Sequence, residues 1–198
     1  MADAQRAVFL DKDGTLVEDV PWNVDPALLR FTPHAVDGLK LLAAHGWRLI
    51  VVTNQPGIAL GRFDADALAR LEQALCERLA EQGVVLDGFF ACPHAPDSPG
   101  CDCRKPQPGL LRQAQRRHGL RLSASWMVGD ILDDVEAGAR AGCRTVLMDV
   151  GNETVWRASP WRQPTCVAGD LLDAARQIVA LSPAGARDAP VTAAGALP

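Results

Sequence analysis

Five strand-like runs, Ala7–Leu10, Arg48–Val52, Gly88–Ala91, Trp126–Val128 and Thr145–Met148, recur along the chain with helical patterns between them. This alternation constrains the fold more than any other feature. Strands that take turns with helices call for a parallel sheet covered by helices on both faces, an α/β architecture. Leu39, Leu41 and Leu42 fall in a helix closed by Gly46. Asp64 is placed to cap a long helix with the apolar stripe Leu68, Leu71, Leu75 and Leu79, ending at Gly83. Pro108-Gly109 opens a third helix, which stops at Gly119, and Asp133 or Asp134 starts a short one that stops at Gly142. These leucines are core residues, not a binding stripe.

The first strand runs directly into Asp11-Lys12-Asp13-Gly14-Thr15. Side chains alternate along a strand, so Asp11 and Asp13 project to the same side at its carboxyl end, where open α/β sheets bind ligands. Two carboxylates held there can divide nucleophilic and acid/base work. The same letters occur in calcium loops and plain acidic turns. The calcium reading fails because no acidic residue follows at the spacing of an EF-hand's closing Glu.

Bulk properties narrow the class. A chain of 198 residues is most simply one domain, expected over residues 1–181. Residues 182–198 are Ala/Pro/Gly-rich with almost no bulky apolar side chain, and are expected to form a mobile tail. The balance of 20 basic and 24 acidic residues provides no basic field for nucleic acid. No apolar run approaches the ~20 residues of a membrane span, and nothing before the first strand reads as a signal peptide. A cytoplasmic monomer with a small-molecule substrate is the expectation.

Three further clusters follow, two where strands end and one, with a Lys fixed before a Pro, at the mouth of the sheet. Val51-Val52-Thr53-Asn54-Gln55 offers a hydroxyl and backbone amides that can donate to a phosphoryl oxygen, or that simply cap a turn. In Arg104-Lys105-Pro106, the Lys can neutralise a transferring phosphoryl group. Val128-Gly129-Asp130 offers a hard oxygen ligand for Mg²⁺, with Asp133 and Asp134 following. Asp134 reads more naturally as a helix cap than as a metal ligand.

Of six cysteines, three crowd into one short stretch: Cys92-Pro93-His94, six residues, then Cys101-Asp102-Cys103. Three thiolates and an imidazole, Cys92, His94, Cys101 and Cys103, suit a closed tetrahedral structural Zn²⁺ site. Such a knot would stiffen the adjacent Arg104-Lys105. Cys76, Cys143 and Cys166 lie in helix or strand contexts and are expected to be small buried hydrophobes.

The ordered set D-x-D-G-T, T-N, Lys and G-D-x-x-x-D closely resembles the haloacid dehalogenase (HAD) superfamily of phosphotransferases, over about Val8 to Met148. The resemblance implies an HAD-like Rossmannoid fold and a Mg²⁺-dependent phosphomonoester hydrolase. Asp11 would be the nucleophile and Asp13 the acid/base. Thr53 and Lys105 would hold the phosphoryl oxygens, and Asp11, Asp130 and the carbonyl of Asp13 would bind Mg²⁺. The C-P-H…C-D-C-R-K-P string further resembles the branch of small, capless HAD phosphatases acting on D-glycero-D-manno-heptose 1,7-bisphosphate or histidinol phosphate. Gly57–Phe63 and Arg104–Gly109 lean toward the heptose side, implying removal of the 7-phosphate, with histidinol phosphate or another small sugar phosphate as the alternative. Asp19, Trp22, Asn54, Gln55 and Arg104 are the implied substrate contacts. Pro56, Leu60 and Ile131 depart from the heptose pattern, which has Ser, Arg and Lys there.

Overall fold

The computed structural model describes residues 5–182. Six strands form one parallel sheet: β1 (Ala7–Leu10), β2 (Arg48–Asn54), β3 (Gly88–Cys92), β4 (Trp126–Gly129), β5 (Arg144–Met148) and β6 (Cys166–Ala168). Their spatial order is β3-β2-β1-β4-β5-β6. The chain builds outward from β1 on one side and from β4 on the other, so the order reverses between these central strands. A crevice opens at that point, beyond the strands' carboxyl ends.

Five helices cover the sheet: α1 (Ala35–Ala44), α2 (Ala65–Glu81), α3 (Gly109–His118), α4 (Leu132–Ala141) and α5 (Leu171–Leu181). The two-residue period of β1 sorts its side chains between two cores. Val8 and Leu10 join Leu39, Leu42, Leu75 and Ile178, from α1, α2 and α5. Ala7 and Phe9 join Leu110, Leu111 and Ala137, from α3 and α4. A sheet buried on both faces explains why its strands read as continuous apolar runs. No cap domain interrupts the alternation among the described residues; the remaining regular elements are two single 3₁₀ turns.

The expected caps hold at three helices. Asp64 accepts from the Ala67 amide at 2.7 Å, and Gly119 and Gly142 end α3 and α4 in the left-handed region at φ 62° and 89°. Three expectations shift. The short helix α4 begins at Leu132, after Ile131, one residue before Asp133 and two before Asp134. A sixth strand and α5 follow the last run read from the sequence, because β6 has only three residues and its middle one, Val167, is exposed. Cys143 is buried as expected, whereas Cys76 and Cys166 are only half-buried. Of the expected tail, residues 183–198 lie outside the described residues. Ser182 is tied down, its hydroxyl accepting from Trp126 Nε1 at 3.0 Å.

Candidate active site

The carboxyl ends of β1, β2 and β4 bring the sequence-distant clusters to one crevice. Asp11 directly follows β1, and its amide donates to Val128 O of β4 at 2.9 Å. The chain then turns tightly, with Leu16 and Val17 amides both donating to Lys12 O at 2.9 Å. Gly14 makes this turn possible at φ 83°, in a spot where a Cβ would come within 2.2 Å of Asp130 Oδ2. The turn therefore packs its backbone directly against the carboxylate that β4 delivers.

Asp11, Asp130 and Asp134 each offer a carboxylate oxygen within 4.8 Å of the others, and all three are buried. Thr15 donates to Asp130 Oδ1 at 3.1 Å, and Asn152 to Asp130 Oδ2 at 2.8 Å. Like charges at this spacing in a low-dielectric site disfavour ionisation. Burial, with the charge of Asp11, pushes Asp130 up to about 6. Burial likewise raises Asp134, against the pull of Lys105. Lys105 pairs with Asp11 and, at 2.7 Å, with Asp134. Burial opposes its charge, but these two carboxylates override it and hold the ammonium protonated well above the ordinary lysine range. One ammonium among three carboxylates leaves negative charge uncompensated. That hard-oxygen set fits Mg²⁺, which takes one or two carboxylates and substrate phosphate oxygens.

Asp13 stands beyond Asp11 at the mouth. Lys12 pairs with one of its oxygens, and Gln55 Nε2 donates to the other at 2.9 Å. Burial raises the Asp13 carboxyl, with Asp11 adding to the effect, against these two donors. Gln55 also donates to Thr53 Oγ1 at 3.0 Å. The Thr53 hydroxyl accepts that bond, so its own proton is available to a ligand.

The implied substrate contacts divide. Asp19, Trp22, Asn54 and Gln55 line one cavity of about 300 Å³ with Asp13 and Pro56. Asn54 has a second engagement, since both ends of its amide bond the backbone of Lys105. Arg104 lies next to Lys105, and its Nη1 is buried without a hydrogen-bond partner.

Sequence reasoning gave Asp134 a capping role. It does accept from the Ile131 amide at 3.4 Å, but its shorter contact is the ion pair with Lys105. The i, i+4 spacing from Asp130 was the available signal. Thr15 stands within the first motif without having been given a role. Asn152 had no local signal, because it reaches Asp130 from the loop after β5.

The three thiols and His94 form a compact cluster. The Sγ···Sγ distances are 3.1, 3.6 and 3.7 Å, and the three Sγ···Nδ1 distances 3.3, 3.3 and 3.4 Å. A tetrahedral Zn²⁺ at usual bond lengths would place its ligands about 3.5–3.8 Å apart. The donors therefore fit zinc with little adjustment, and their separations are too long for a disulfide. The Arg104 amide donates to Cys101 Sγ at 3.3 Å, joining the cluster to the lysine loop.

The HAD-hydrolase-like family profile matches residues 102–174. A D-glycero-beta-D-manno-heptose-1,7-bisphosphate 7-phosphatase of Pseudomonas aeruginosa is 38% identical over 171 residues, which is 85% of this chain and 94% of that relative. The chain belongs to the HAD family of phosphatases. The enzyme of the same name from Photorhabdus laumondii is 40% identical over 75% of this chain and 82% of that relative. In structure, the phosphatase resembles D,D-heptose 1,7-bisphosphate phosphatase from B. bronchiseptica, complexed with magnesium and phosphate. The TM-score is 0.80 at 34% identity, covering 89% of this chain and 99% of the other. No helix among the described residues is long and apolar enough to cross a membrane.

Proposed function

We propose that this HAD phosphatase removes the 7-phosphate of D-glycero-D-manno-heptose 1,7-bisphosphate through a phosphoryl group carried on Asp11. The observation that carries the substrate is the match to the P. aeruginosa relative, which bears that activity's name and aligns over 94% of its length. The chemistry rests on the crevice geometry.

In this reading an Asp11 carboxylate oxygen attacks phosphorus, and the ester oxygen leaves with the proton of Asp13. Asp13 then takes a proton from water as that water attacks the Asp11-bound phosphoryl group, releasing phosphate and restoring both residues. Burial supports the first step by keeping a proton on Asp13. Lys105 Nζ carries three protons; Asp11 and Asp134 take two, leaving one for a phosphoryl oxygen. Thr53 donates to another. Asp11, Asp130 and the Asp13 carbonyl would hold Mg²⁺, which would offset the repulsion between carboxylate and phosphate. The Cys92, His94, Cys101 and Cys103 set would hold Zn²⁺ as a structural brace for the loop that carries Lys105.

The carboxylates of Asp13 and Asp19 favour a second reading, because they also suit a phosphomonoester bearing an ammonium, such as histidinol phosphate. A side-by-side measurement of kcat/KM with Mg²⁺ saturating separates the two. The heptose bisphosphate is expected to be the better substrate by tenfold or more; the reverse order overturns the assignment.

A further inference from the structure

A bisphosphate brings a second dianion, yet among the described residues the charged side chains lining the cavity beside Asp13 are carboxylates, Asp13 and Asp19. Besides Arg104, next to Lys105, a cation for the second phosphate stands at the rim of this cavity. The loop after β2 provides it. The Arg62 guanidinium carbon lies 5.8 Å from the centre of the Trp22 ring, inside the range of a cation–π contact. Trp22 itself lines the cavity and is 48% exposed. Among the described residues no carboxylate pairs with Arg62, so its five donors face no competitor.

The loop is built to hold that position. The Arg62 amide donates to Gly57 O at 2.8 Å and the Leu60 amide to Pro56 O at 3.0 Å. The Ala59 amide reaches Pro93 O, within the cysteine cluster, at 3.3 Å. The Phe63 ring packs so closely on Gly57 that a Cβ there would lie 2.1 Å from a ring carbon. Leu60, at the exposed tip, contributes no charge. Trp22 stands in the left-handed region, at φ 61°.

We propose that Arg62, seated on the face of Trp22, binds the second phosphate of the substrate and so selects bisphosphates over monophosphates. This rests on the bisphosphate reading above and adds a residue to it. A planar guanidinium is suited to the role because it can stack on an aromatic ring and still present two parallel N–H groups to phosphate oxygens.

The test uses the full-length protein with zinc and Mg²⁺, and a matched pair of substrates, the heptose 1,7-bisphosphate and the same heptose carrying only the 7-phosphate. The readout is the ratio of their kcat/KM values. Arg62→Gln should lower this ratio about tenfold or more, the usual worth of a charge-assisted hydrogen bond. Arg62→Lys should recover part of the loss, and Trp22→Ala should lower the ratio where Trp22→Phe retains it. A wild-type preference for the bisphosphate that survives Arg62→Gln overturns the role of Arg62 and leaves the bisphosphate reading standing. A wild type with no preference between the pair overturns both.

Discussion

Asn54 grips Lys105 by its backbone: Oδ1 accepts from the Lys105 amide at 3.0 Å, and Nδ2 donates to the Lys105 carbonyl at 3.1 Å. One residue from the end of β2 thereby fixes a residue 51 positions later. The carboxamide suits this because its donor and its acceptor sit on two separate atoms, one for each backbone group of Lys105. Asn54→Ala is expected to lower kcat at least tenfold while costing about 1–2 kcal/mol in stability. Urea unfolding and steady-state kinetics on one preparation check both. A rise in KM with kcat unchanged would make Asn54 a substrate contact instead.

The two carboxylates of the first motif should separate cleanly by mutation. In the proposed mechanism Asp11→Asn removes the nucleophile at nearly constant volume, so phosphate release should vanish while the circular dichroism spectrum is retained. Asp13→Asn removes the proton carrier and should cost about 10²–10⁴-fold. With a good leaving group the first step needs little help from an acid, so the phosphorylated Asp11 should accumulate and be trapped by acid quench. Wild-type turnover in Asp11→Asn would falsify the mechanism.

Asn152 approaches Asp130 from outside the sheet, donating to Oδ2 at 2.8 Å, while Thr15 serves Oδ1. Groups of this kind orient a metal ligand, and losing one typically weakens metal binding 10–100-fold. Asn152→Ala should weaken Mg²⁺ binding by about tenfold in a calorimetric titration. Because Asn152 is exposed, stability without Mg²⁺ should scarcely change. Unaltered Mg²⁺ affinity would reduce the contact to surface hydrogen bonding.

The crowded carboxylates also dictate how stability depends on pH. Asp130 is pushed from 3.8 up to about 6 and Asp134 up to about 8, both chiefly by burial, and Asp13 is raised too, so the window runs from about pH 4 to pH 8. A carboxyl whose pKa is higher in the folded state binds its proton more tightly there. Stability of the Mg²⁺-free, zinc-loaded protein therefore falls as pH rises through this window. Thermal unfolding should show a lower midpoint at pH 8 than at pH 6, with Mg²⁺ restoring more at pH 8. Asp130→Asn should stabilise the Mg²⁺-free protein at pH 8 by no more than roughly 3 kcal/mol. A midpoint that rises from pH 6 to pH 8 without Mg²⁺ would contradict the raised values.

The strands, and the polar clusters at the ends of β1, β2 and β4, were legible because each is local: an apolar run, then the polar residues that the strand end presents. Val8/Leu10 against Ala7/Phe9 follows from period two alone. What escaped was relational. Asp134 sits at a position where a cap is the ordinary reading, and only the fold brings Lys105 to it. Asn152 precedes no strand and follows no motif. The exposed Val167 in a three-residue strand broke the apolar signal that marked the other five.

The cysteine cluster touches two functional loops. Cys101 Sγ accepts from the Arg104 amide, beside Lys105, while Cys92 O and Pro93 O accept from the Gln55 and Ala59 amides at 2.7 and 3.3 Å. The lysine loop and the Arg62 loop therefore share one support. Metal analysis of protein purified without chelators should find one zinc per chain. Cys103→Ser should lower stability by on the order of 2–5 kcal/mol, since metal binding is coupled to folding. In the zinc-depleted variant kcat should fall as Lys105 loosens, and KM for the bisphosphate should rise as Arg62 does. A variant that loses zinc with kcat and KM both unchanged would make the cluster a brace for the fold alone.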